Sequence, residues 1–160
     1  MERIARGGTV LAPGGAADPI QVIDARDLGE WVVSLASGSV QGVFHAVSPP
    51  PVFGFGDLLE AIASELAPRG TTLTWLDAGF LLERGETAES IPLWPGGDVE
   101  RDINTADPAR AFAAGLRPRP IRQTAAEIHA AEQASPTPRP PGVGLSPQRE
   151  QELLVAWHAR

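Results

Sequence analysis

Leu58, Leu59, Ile62 and Leu66 fall on one stripe of a helix, with Asp57 at its start and Pro68 and Gly70 at its end. Thr71–Leu76 (TTLTWL) follows at once, an alternating, β-branched run that reads as a strand. A helix that hands over directly to a strand commits this part of the chain to an α/β arrangement, in which each element must bury its apolar face against another. The remaining segments are shorter pieces, punctuated by proline and glycine.

Residues 4–18 form a loop-rich opening in which GGTVLAPGG admits a brief strand or hairpin. Ile20–Ile23 reads as a buried strand. Asp24 or Asp27 can cap the helix after it, because a carboxylate accepts hydrogen bonds from free backbone N–H groups. Leu28, Trp31, Val32 and Leu35 mark one face of that helix, and Gly38 stops it. Val43–Val47 (VFHAV) is a compact apolar run before Pro49, Pro50 and Pro51, and is expected to be a strand leading into a forced extended segment. A short helix is expected over Ala78–Glu83. Another lies between Asp107–Pro108 and Gly115, with an acidic cap, proline at the first helical position and glycine past the end. A further helix covers Arg122–Gln133, with Ile121, Ala125 and Ile128 on one side. These readings divide the chain into an α/β domain over 1–133, a proline-rich linker over 134–147 and a C-terminal helix over 148–160. Leu153, Leu154 and Trp157 of that helix need something to dock against.

The net charge of −7 argues against a nucleic-acid partner, which would need a cationic face. All 13 basic residues are arginine, as in the coding bias of high-GC bacteria. With no cysteine, disulfides, thiolate nucleophiles and cysteine-ligated zinc are excluded. No apolar run approaches the roughly 18 residues that cross a bilayer, and MERIARGG lacks the apolar core of a signal peptide, so no membrane partner and a cytoplasmic address are expected.

There is no Walker loop and no G-x-G-x-x-G. Gly54-Phe55-Gly56 comes nearest, but the third glycine position is Leu59, so the string reads as the start of a helix. His45 sits in an apolar run with no metal-binding or catalytic spacing beside it. Asp24, Arg26 and Asp27 form the densest charged cluster next to an apolar segment. They read either as helix capping plus an ion pair or as the polar wall of a ligand cleft. Trp75, Phe80, Leu82, Leu93 and Trp94 read as core ahead of substrate pocket.

VIDARDLGEWVV (Val22–Val33) resembles the strand-to-helix motif in the C-terminal half of extended short-chain dehydrogenases, the NAD-dependent epimerase/dehydratase family. RIARGGTVLAPG, GVFHAVSP, FGDLLEAIASEL, TLTWLDAGFLLERG, IPLWPGG and ARAFAAGLRPRPIRQT keep that family's order, and the LSPQREQELLVAWHAR tail looks like the C-terminal end of its bacterial reductase-like members, so the likeness covers nearly the whole chain. Where the family's strand usually carries asparagine, this chain has His45. The resemblance implies the C-terminal, substrate-binding portion of an α/β protein, with few strands, flanking helices and the Rossmann half missing. Complete members bind NAD(P) and use a Tyr-x-x-x-Lys pair, whereas this chain has no tyrosine and no lysine. It is therefore expected to bind no cofactor alone and to be incompetent for hydride transfer. Its substrate, an unnamed small molecule, would meet Arg6, Gln21, Asp24 and Arg26, and its partner would be a separate Rossmann-half chain or a second copy. Two other readings stand beside this one. The first is a cofactor-independent cyclase, dehydratase or isomerase using Asp24, Asp27 and His45 for proton transfer. The second is a non-catalytic binding or dimerisation module.

Overall fold

The computed structural model describes residues 1–47, 53–94, 96, 102–138 and 143–160. Its elements run α1 (Glu2–Arg6), β1 (Thr9–Pro13), α2 (Ala25–Ala36), α3 (Phe55–Leu66), β2 (Thr72–Leu76), α4 (Ala78–Glu83), a 3-10 turn (Asp102–Thr105), α5 (Ala109–Ala113), α6 (Ile121–Ala134) and α7 (Pro147–His158). The fold is mixed α/β. β1 and β2 form a parallel pair with Thr9 opposite Thr72 and Pro13 opposite Leu76. The parallel register rules out a hairpin for the GGTVLAPGG segment, since parallel strands need a long crossover, here α2 and α3.

Two expected strands are not strands. Ile20–Ile23 has no regular secondary structure and joins no ladder among the described residues; the isolated antiparallel bridge Pro19–Gly54 lies just before it. Scattered partners occupy its backbone instead: Ile20 N–H donates to Phe53 O at 3.0 Å and Gln21 N–H to Asn104 Oδ1 at 3.3 Å. Val43–Val47 likewise has no regular secondary structure. Its Phe44 packs edge-on against Trp31, ring centroids 5.5 Å apart. Ile20 is buried while Val43 is largely exposed, so apolar content alone settled neither burial nor pairing; a strand also needs a neighbour, and none of the described strands lies alongside. The triple proline falls outside the described residues, as does part of the linker.

The main core gathers Ile4, Val10, Leu11, Phe55, Leu58, Ile62, Leu76, Phe80, Ile91, Trp94, Ala125, Leu153 and Leu154. The last two show what the terminal helix docks on: the core of its own chain, against β1. Leu82 and Leu93 are exposed, so the aromatic and leucine set read as core divides. A second cluster holds Trp31, Ala111 and Leu116 between α2 and α5, where the Trp31 indole N–H donates to Ala114 O at 3.0 Å.

Gly54 and Gly56 earn their places through close approach. A Cβ on Gly54 would lie 2.6 Å from Ala16 O, and one on Gly56 would lie 2.9 Å from Ala16 Cβ. The backbone N–H groups of Phe55 and Gly56 donate to Asp18 O and Ala16 O, both at 2.8 Å, and Asp57 accepts from Gly54 N–H. The start of α3 is thus closed by the chain itself, leaving these donors unavailable to an anion.

Candidate functional site

Three features of the structure bear on function: a charged network, a buried glutamate and an apolar cavity.

The network grows from VIDARDL. Asp24 is the N-cap of α2 and accepts from Arg26 N–H at 2.9 Å. Its two oxygens also take Arg26 Nε at 2.9 Å, Arg26 Nη2 at 2.5 Å and the Thr124 hydroxyl of α6 at 2.8 Å. Asp27, one turn on, reaches across to the turn before α6 and accepts Arg119 N–H and Nε, both at 2.7 Å. Arg26 also pairs with Glu127, and Arg119 stands 3.6 Å from the same carboxylate. The guanidinium of Arg26 bonded to Asp24 holds its carboxyl well below the usual carboxylate range, outweighing the desolvation that burial imposes. Asp27 in turn raises Arg119, and Gln123 followed by Arg26 lowers Glu127. A carboxyl that stays ionised and fully bonded is a clamp between helices, and it has no proton to donate near neutral pH.

The other residues singled out from the sequence lie apart from this network. Arg6 is on α1 and pairs with Glu150. Gln21 brackets Ala106, donating to its carbonyl at 2.7 Å and accepting its N–H at 3.2 Å. His45 is exposed, next to Phe44 in the chain.

Glu150 was not evident from the sequence. It lies on α7, 3% exposed, and its Oε1 accepts the backbone N–H of Leu11 at 3.0 Å and Arg3 Nη1 at 3.2 Å. Its Oε2 takes Arg6 Nη2 at 3.1 Å. The location of that N–H explains the arrangement. Gly14 N–H donates to Leu76 O and Thr72 N–H to Gly8 O, so in β1 the even-numbered residues face β2 and the odd-numbered ones face away. Leu11 therefore offers its N–H on the outer edge, where Glu150 satisfies it. Pro13, two residues on, has no N–H to offer. The sequence did hold a signal: Glu150, Leu153, Leu154 and Trp157 share helical spacing, which places a carboxylate on an apolar face.

The cavity, about 290 Å³, lies between the sheet, α1, α3 and α6. Its wall is formed by Val10 and Leu11 of β1, Leu73 of β2, Phe55, Leu58 and Ile62 of α3, and Ile121, Ala125 and Ile128 of α6. Thr124 and Arg3 interrupt the apolar lining. A smaller cavity of about 250 Å³ shares Val22, Ile23, Ile121 and Thr124 with it and reaches Asp24 and Arg119. At the rim of the larger cavity, Leu93 has φ 72°, the only left-handed non-glycine backbone among the described residues. Buried Ile91 and Trp94 anchor the turn on either side, and Trp94 N–H donates to Ile91 O at 3.2 Å, lifting Leu93 out at 59% exposure. Strain of this kind costs about 1–2 kcal/mol and is kept only where surrounding packing imposes it. Among the described residues no group of histidine and acidic side chains could hold a metal ion, and no helix is long and apolar enough to cross a membrane.

Three comparisons with known proteins find no match: no family model, no curated protein and no solved structure aligns with this chain.

Proposed function

We propose that this chain is the small-molecule-binding half of an epimerase- or reductase-like protein of the extended short-chain dehydrogenase kind, without hydride transfer of its own. One observation carries the binding role: a cavity of about 290 Å³ with an almost wholly apolar wall, the size and lining typical of a small-ligand site. The rest of the reading has support of a different sort. With no tyrosine and no lysine, the chain cannot form the Tyr–Lys pair of that family. The donors at the start of α3 are taken by Ala16 and Asp18, which removes the nearest cradle for a pyrophosphate. Leu73 and Trp75 of β2 turn their backbone groups away from β1, an edge on which a strand of a nucleotide-binding chain can pair.

The test is a fluorescence titration with the neutral probe N-phenylnaphthylamine, run beside calorimetric titrations with NAD and NADP. The expected result is saturable probe binding that is lost in Ala125→Leu, a substitution that fills the cavity from α6, and no saturable dinucleotide binding. Probe binding unchanged by Ala125→Leu in a folded variant would reject the cavity as the site. Micromolar dinucleotide binding would reject the half-protein reading.

A further inference from the structure

We infer that the ligand of this cavity is an amphipathic monocarboxylate, its apolar body held between the sheet and helices α3 and α6 and its carboxylate held by Arg3. This inference rests on the cavity being the binding site, and goes further by naming the ligand's chemistry. Among the described residues that line the cavity, Arg3 is the only one with a charged side chain. A guanidinium has five N–H donors. One of them, on Nη1, is committed to Glu150 Oε1 at 3.2 Å, and the side chain is 28% exposed. Among the described residues the side chain makes no other hydrogen bond, which leaves the rest of its donors for a second partner.

Two further observations favour an anion. Glu150 is shared by two arginines, Arg3 and Arg6, so Arg3 does not hold that carboxylate alone. Glu150 is also fixed independently of those cations, because its Oε1 accepts the buried N–H of Leu11 at 3.0 Å. Arg3 can therefore turn one edge to Glu150 and the other to a ligand without releasing α7. A planar guanidinium and a carboxylate match in shape as well as charge, and exclusion of water by the apolar wall strengthens that pairing. An amine on the same apolar body would meet like charge.

The test is calorimetric titration of the full chain with decanoate, decanol and decylamine, in the wild type, Arg3→Gln and Arg6→Gln. Arg6→Gln is the control, since it removes a cation from the same glutamate without touching the cavity wall. The expected result is saturable decanoate binding, weakened about tenfold by Arg3→Gln and much less by Arg6→Gln, with decanol insensitive to both and decylamine not bound. Decanol binding as tightly as decanoate in the wild type would overturn the carboxylate assignment while leaving the cavity as the site. Equal losses from Arg3→Gln and Arg6→Gln would also overturn it. If neither decanoate nor decanol binds, the cavity reading fails with it. The wild-type series decides the matter even where Arg3→Gln does not fold.

Discussion

The Asp24 network and the Glu150 clamp are both built from arginine and carboxylate, but they finish differently. In the network, the carboxylates of Asp24, Asp27 and Glu127 surround the guanidiniums of Arg26 and Arg119, and backbone N–H groups of Arg26 and Arg119 add further bonds. Negative charge is in excess and the donors are consumed. At the clamp, one buried carboxylate serves two arginines and a strand edge, and one of those arginines, Arg3, lines an apolar cavity. A saturated network ties helices together, whereas an unsaturated cation at a cavity wall leaves something to bind. Function is therefore sought on the Glu150 side, although the charged string VIDARD is the more conspicuous of the two in the sequence.

The largest effect is expected at the clamp. Glu150→Leu leaves the buried Leu11 N–H without an acceptor and frees α7 from α1, and should cost about 3 kcal/mol in denaturant unfolding. Glu150→Gln keeps an acceptor oxygen and should cost clearly less. Equal losses for the two would mean that charge alone holds the edge.

On the network side, Asp27→Ala removes both bonds to Arg119, which is 18% exposed, and should cost about 2 kcal/mol. Asp24→Asn should cost less, because asparagine caps a helix as well as aspartate does. Thermal melts that order these two variants the other way would make Asp24, and not the α2–α6 tie, the centre of the network.

Acid probes the network further. Asp24 has a folded carboxyl well below its ordinary value, while in the unfolded chain it titrates near about 3.9. As pH falls the unfolded state takes up the proton first, so the stability from Asp24, fully present above that value, declines below about pH 4 and is lost through the folded value. Asp24→Asn should flatten this part of the profile. Denaturation midpoints collected from neutral to acid pH check it, and parallel profiles for wild type and variant would assign the acid loss elsewhere.

The smallest effect is expected at the rim. Leu93→Gly relieves the left-handed backbone and should raise stability by up to about 1 kcal/mol. It should also weaken N-phenylnaphthylamine binding, since Leu93 lines the cavity. A gain in stability with unchanged binding would make the strain incidental to the site.

Much of the helical framework was legible because its causes are local. The stripe of α3, the acidic cap of α2, read as Asp24 or Asp27 and found at Asp24, and the short α4 all depend on residues within a turn or two of one another. Thr72–Leu76 was legible as a strand from its β-branched alternation. What escaped depends on distant partners. Ile20–Ile23 and Val43–Val47 have the composition of strands, but no spacing within either segment says whether a neighbour will lie beside it. Glu150 meets Leu11, Arg3 and Arg6 at separations of 139, 147 and 144 residues, beyond any local pattern. The cavity is more distant still from the sequence, being a space shared by α1, both strands, α3 and α6.

The central claim is that this cavity takes a ligand, and isoleucine methyl resonances test it most directly. Ile4, Ile62, Ile91 and Ile121 line the cavity, while Ile20 and Ile103 lie outside its wall. On titration with N-phenylnaphthylamine the account predicts saturable shifts at the first four and none at the last two. Shifts at Ile20 and Ile103 with the lining methyls unmoved, or no saturable shift at any of them, would contradict it.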